Sequence, residues 1–277
     1  MGEPITEKLN GIRELPSSLK ASAASVTGTR DHQEDCLMYQ VLEDGVLGVV
    51  CDGMGGLAGG EKASACAVDQ LSEYFASVAR KDMPGRAYWE SALRQLDEQV
   101  AGLTDAKGKP LGGGTTLVAV FIRDDRMTYA SAGDSMLYLL RKGTCTQLVR
   151  LHNYRLILER QLQQGQISLE EFMEEQDSGE ALITYLGMNG FKVWDCSLEP
   201  LRLEDGDRII LCSDGLYRAL PQEQIQAIAE SCDEAAFEKT ALELVRAVFK
   251  GPPRSLDNIS ILCFLFKAED PAAQGTP

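Results

Sequence analysis

Five short stretches of this 277-residue chain carry acidic side chains in one repeated setting. Asp52-Gly53 closes the apolar run 45–51, and Asp214-Gly215 closes 208–212. Asp134-Ser135 follows Gly133 just after the run 127–131, Asp257-Asn258 opens 259–266, and Glu34-Asp35 stands immediately before 36–42. A carboxylate at the end of a strand projects from a rigid element, and a neighbouring glycine lets backbone or ligand come close. Taken singly, each pair reads as a turn, since Asp-Gly is among the commonest turn dipeptides. Their recurrence at the ends of apolar runs favours carboxylates gathered around cations. The chain has only two histidines and no Cys-x-x-Cys pair. The donors are therefore oxygens, which select Mg²⁺ or Mn²⁺ over zinc or copper. Such a cluster repels itself until divalent ions balance it.

The elements that must position these residues are legible from apolar periodicity. Strands are expected at 23–27, 36–42, 45–51, 115–122, 127–131, 136–141, 193–197, 208–212 and 259–266. Helices are expected at 60–80, 88–103, 222–231 and 234–249. In the first of these, Ala63, Ala67, Leu71, Tyr74, Phe75 and Val78 form one stripe at helical spacing. Strands come in clusters with few βαβ alternations, which favours an α+β layered domain on antiparallel sheets. The polar segment 152–180 interrupts the strand series and reads as a helical excursion beside the sheets. Residues 1–20 and 268–277 lack apolar periodicity and read as tails, leaving one domain at 21–267.

In chain order, Gly28-Thr29-Arg30-Asp31-His32-Gln33-Glu34-Asp35, Asp52-Gly53-Met54-Gly55-Gly56, Gly113-Gly114-Thr115-Thr116, Ala132-Gly133-Asp134-Ser135, Ser213-Asp214-Gly215-Leu216 and Asp257-Asn258-Ile259-Ser260 resemble the motifs of the PPM (phosphatase 2C type) metal-dependent protein serine/threonine phosphatases. Each motif alone is weak, and six in order are strong. The resemblance implies a four-layer α-β-β-α sandwich of two mainly antiparallel sheets flanked by helices. It also implies hydrolysis of phosphoserine and phosphothreonine on proteins by a water bridging two divalent metals, Mn²⁺ or Mg²⁺. By the same resemblance Asp52 would bridge the two ions. Glu34 and the Gly53 carbonyl would complete one, and Asp214 and Asp257 the other. Arg30 would hold the phosphate, Asp35 would orient a metal-bound water, and Asp134 with Asp214 would hold a weaker third ion.

The chain departs from the family pattern at three places, the smallest being Gln33 for the usual Asn at a position that is not a ligand. Met54 stands where many eukaryotic members carry a histidine thought to protonate the leaving group, so the chain resembles the bacterial branch, in which a metal-bound water would supply that proton. The stretch 152–187, a flap-like insertion in the family, here reads His152-Asn153-Tyr154, then Asp177-Ser178-Gly179 and Thr184-Tyr185-Leu186-Gly187. Substrate preference is therefore the least transferable property. His32 reads as a loop histidine with no ligand role.

Bulk composition narrows the alternatives. A formal charge of −15 argues against a nucleic-acid or anionic-membrane surface. The eight scattered cysteines read as small buried hydrophobes of a reducing compartment. No apolar stretch approaches membrane-spanning length, so a cytoplasmic monomer is expected, acting on phosphoproteins made by a serine/threonine kinase. The opening Met1-Gly2-Glu3-Pro4-Ile5-Thr6 fits only a loose myristoylation pattern. Two other functions fit parts of the sequence. One is a catalytically weak phosphoprotein-binding module on the same fold, which loss of ligands would mark, and every matched ligand is present. The other is a dinucleotide site on Gly53-Met54-Gly55-Gly56-Leu57-Ala58, where Asp52 would set a negative charge beside the pyrophosphate.

Overall fold

The computed structural model describes residues 14–55, 59–77, 81–175, 178–252 and 255–268. Gly56 of the second motif, Val78 of the helical stripe, Asp177 and most of both tails lie outside the described residues.

Strands β2 (Asp35–Leu42), β3 (Gly45–Met54), β5 (Leu117–Arg123) and β6 (Arg126–Ala132) pair antiparallel in sequence. The short strands β4 (Gly114–Thr115), β9 (Asp195–Cys196) and β10 (Leu201–Arg202) are added at their margins. A second sheet runs in the order β1 (Leu19–Val26), β12 (Ile259–Phe266), β11 (Arg208–Cys212), β7 (Met136–Arg141), β8 (Thr144–Gln147).

Side-chain alternation in β3 and β5 builds the layers. Val46, Val50, Val118, Val120 and Ile122 face the second sheet, among Leu137, Leu262 and Phe264. Leu47, Val49, Leu117, Ala119 and Phe121 point the other way, into helices α1 (Gly59–Ser77) and α2 (Arg86–Ala101). Both faces are covered, so these strands are apolar along their length, with charge only near their ends at Asp52 and Arg123. Phe75, Trp89 and Phe121 form the centre of the outer layer, with Phe75 ring centroids 5.1 Å from Trp89 and 5.5 Å from Phe121. On the far side α6 (Gln222–Ser231) and α7 (Thr240–Lys250) bury Ile225, Leu244 and Val248 against the second sheet. The α-β-β-α architecture expected from the resemblance is the one observed.

Several boundaries differ from expectation. β1 begins at Leu19, inside the stretch read as a tail, because Leu19 is buried and pairs with Phe266. The single strand expected at 115–122 is broken at Thr116, whose amide and hydroxyl turn to Asp52. The helix expected from 234 begins only at Thr240, after a 3-10 turn at Phe237–Lys239. The excursion after His152 holds α3 (Tyr154–Gln163) and α4 (Leu169–Glu174). A capping box starts α4, in which the Ser168 hydroxyl accepts from the Glu171 amide while the Glu171 carboxylate accepts from the Ser168 amide.

Candidate active site

The acidic strand ends meet at one end of the sandwich. A cleft of about 300 Å³ is lined by Arg30, Glu34, Asp52, Gly53, Met54, Asp134, Asp214 and Asp257, with Arg218, Asn258, Glu180 and Leu182 completing its wall. A larger hollow of about 820 Å³ lies at the opposite end, by the β5–β6 turn at Asp124 and Asp125. None of the carboxylates that line the cleft reaches it.

Asp52 is the best-held of these residues. Its carbonyl accepts from the Thr116 amide at 2.8 Å and the Thr115 hydroxyl at 2.9 Å, while its own amide donates to Thr116 Oγ1 at 3.0 Å. Thr116 Oγ1 in turn meets Ser135 Oγ at 2.6 Å, next to Asp134. The Gly-Gly-Thr-Thr motif is thus a clamp on the Asp52 backbone. Gly53 follows in a space that admits no side chain, since a Cβ there would fall on the carbonyl oxygens of Gly60 and Glu34. The Gly53 amide donates to the Glu34 carbonyl at 3.1 Å, and Ser64 Oγ donates to the same oxygen at 2.6 Å.

The Arg30–Asp35 loop is held by a residue to which sequence reasoning assigned no role. Asn258, buried at the mouth of β12, accepts from the Glu34 amide at 2.7 Å. Its Nδ2 donates to the carbonyls of Thr27 at 2.9 Å and His32 at 3.0 Å. One amide side chain therefore ties the last acidic strand end in the chain to the first. Its only sequence signal was its place beside Asp257. His32 itself lies exposed in the loop, as expected.

Asp35 does not line the cleft. It sits behind Asp52, directly opposite it across β2 and β3, with Oδ2 accepting from Ser213 Oγ at 2.7 Å and Oδ1 buried without a hydrogen bond. Arg30 is at the lip, its Nη2 2.6 Å from Asp257 Oδ2. Asp214 carries a second buried, unpartnered oxygen, Oδ1. Among the described residues no three acidic, histidine or cysteine side chains form a closed cage for an ion. Arg30 and Arg218 stand between the carboxylates instead.

Electrostatics mark the cluster as cation-seeking. Burial, reinforced by Asp35, Asp214, Asp134 and Asp257, pushes the Asp52 carboxyl well above the ordinary range. Burial raises Asp35 to about 7 despite its bond from Ser213. It raises Asp214 to about 6 even though Arg218 opposes it. Asp134 and Glu34 move the same way, burial again leading. Buried carboxylates with unpartnered oxygens and no soft donor fit hard divalent cations.

A stability prediction follows. Folded-state values above an unfolded value of about 3.9 mean that the folded chain binds more protons than the unfolded one between roughly pH 4 and 7. Metal-free protein should therefore lose stability as pH rises through that window. Thermal melts in chelator are expected to fall by on the order of 5 °C between about pH 5 and 7.5. Millimolar Mn²⁺ should restore the loss at the higher pH and have little effect at the lower one. A chelated melt that rises across this range would contradict the assignment.

Fold and cleft together define an α-β-β-α domain that gathers strand-end carboxylates and two arginines at one end. The profile of the protein phosphatase 2C family matches residues 25–247, and the chain belongs to that family. It is 28% identical over 238 residues to the serine/threonine phosphatase stp of Listeria welshimeri, covering 84% of this chain and 90% of that one. It is 27% identical over 246 residues to protein phosphatase PhpP of Streptococcus pneumoniae, covering 87% and 94%. Among solved structures, the Mycobacterium tuberculosis phosphatase PstP/Ppp superposes with a TM-score of 0.70 at 26% identity, over 90% of this chain and 99% of that one. The catalytic domain of PstP in complex with two manganese ions gives 0.68 at 26% identity, over 90% and 98%.

Proposed function

We propose that this chain hydrolyses phosphoserine and phosphothreonine on proteins with two divalent ions, Mn²⁺ or Mg²⁺. Glu34, Asp52 and the Gly53 carbonyl would hold one, and Asp52, Asp214 and Asp257 the other. The observation that carries the reading is the convergence of these groups from separate strand ends into one cleft with Arg30 at its lip. The manganese-bound relative supports the choice of metal. When bound, the ions supply a water of depressed pKa and neutralise charge on the phosphoryl oxygens.

The protein's own groups have distinct tasks. Arg30 offers a planar fork that matches two phosphate oxygens, and it leaves Asp257 to do so. Asp35, beneath Asp52 and fixed by Ser213, acts as a positioning carboxylate. Met54 has no proton to give, so the leaving alkoxide takes its proton from water in the cleft. Among the described residues no helix is long and apolar enough to cross a membrane. A cytoplasmic monomer opposing a serine/threonine kinase remains the reading of localisation and partners.

The test is release of inorganic phosphate from a phosphothreonine peptide. Turnover is expected with millimolar Mn²⁺ and none in excess chelator. Binding of the peptide without turnover in Mn²⁺ would instead favour a phosphoprotein-binding module.

A further inference from the structure

Arg218 ends the short helix α5 (Asp214–Tyr217) and reaches three carboxylates at once. Its Nε lies 2.8 Å from Asp214 Oδ2, one turn back, and its Nη2 lies 3.4 Å from Asp134 Oδ2. Nη1 pairs with Glu180, which the insertion after His152 brings to the cleft. The neighbouring Tyr217 hydroxyl donates to the Asp134 carbonyl at 2.9 Å, so one short helix grips Asp134 by both backbone and side chain. The Asp134 side chain is 6% exposed and that of Asp214 14%, so the guanidinium, on a side chain 41% exposed, caps two largely buried carboxylates.

The two carboxylates under Arg218 are the pair that the sequence resemblance would give to a weaker third metal. An ion there would need Asp134 and Asp214 oxygens that the guanidinium already holds, and it would lie beside a positive charge that does not titrate away. Asp214 divides its oxygens accordingly, with Oδ2 on Arg218 and Oδ1 buried and unpartnered. The free oxygen is the one left for the two-ion centre.

We propose that Arg218 is a built-in cation in the place of a third metal, so that this centre takes two divalent ions and excludes a third. The same side chain ties Glu180 of the insertion to the ion-binding end of the sheets. The inference rests on the two-ion reading above, and the count of bound metal separates the two.

The experiment is equilibrium dialysis of the full chain against millimolar Mn²⁺, with metal per chain read by elemental analysis. Wild type is expected to hold two ions, and Asp134→Asn also two. Arg218→Ala, which uncovers Asp134 and Asp214, is expected to hold three, and Arg218→Ala combined with Asp134→Asn two again. Three ions on wild type, with one lost in Asp134→Asn, would overturn the role of Arg218, and so would two ions on a folded Arg218→Ala. The Asp134→Asn comparison decides the matter even if Arg218→Ala fails to fold. Fewer than two ions on wild type would overturn the two-ion reading and this inference with it.

Discussion

Asp52→Asn is expected to lower kcat by about 10³-fold or more, the scale set by losing a group that holds charge-stabilising ions in the transition state. Asparagine has nearly the same shape, and the bonds that fix residue 52 run through its backbone to Thr115 and Thr116. The fold should therefore survive. What changes is the charge at the point where the acidic strand ends converge. The loss should appear in two further measurements. Metal-free Asp52→Asn should melt higher than metal-free wild type at neutral pH, because one member of a self-repelling buried cluster is gone. It should also show little of the Mn²⁺-induced rise in melting temperature expected of wild type. Unchanged turnover in the variant would remove Asp52 from the centre of the account. A collapse of stability in the metal-free variant would assign the residue to the fold instead.

Arg30→Ala is expected to cost about 10²- to 10³-fold in kcat/KM, the range of two charge-assisted hydrogen bonds to phosphate. Arg30→Lys should recover only part of it, since an ammonium keeps the charge but not the fork. Arg30 contacts Asp257 at 2.6 Å, so its removal also releases a proposed metal-holding carboxylate. Mn²⁺ affinity should accordingly hold or rise in Arg30→Ala while phosphate handling fails. Steady-state kinetics on a phosphopeptide, with Mn²⁺ titration by calorimetry, separates the two effects. A parallel fall in metal affinity would mean that Arg30 serves the metal centre and not the substrate.

The layered fold was legible because its central strands obey a simple rule. β3 and β5 alternate between an inter-sheet face and a helix-covered face, and both are apolar, so the runs stand out. The acidic strand ends were legible for the same reason, each standing at one end of such a run, before it or after it. Strands β8 and β10 were not, because Thr144–Gln147 and Leu201–Arg202 are short, largely polar edges with little apolar surface to bury. The break at Thr116 was hidden as well, since β-branched residues continue through it and only the bonds to Asp52 interrupt the pairing. Within the site, Arg218 and Glu180 carry no sequence signal, lying 38 residues apart in the chain. Their meeting over Asp134 and Asp214 depends on how the insertion after His152 folds back. His152 directs that return. Its ring, fully buried, accepts from the Gly133 amide at 3.1 Å, and its carbonyl accepts from the Ile183 amide at 3.0 Å. No periodicity in the segment announces these contacts.

The central claim is that Asp52 lies between two divalent ions in the strand-end cleft. The most direct measurement is an anomalous difference map from crystals soaked in Mn²⁺. Two peaks are expected on either side of the Asp52 carboxylate, one toward Glu34 and the Gly53 carbonyl, the other toward Asp214 and Asp257. A single peak remote from Asp52, or manganese only in the hollow beside Asp124 and Asp125, would contradict the account.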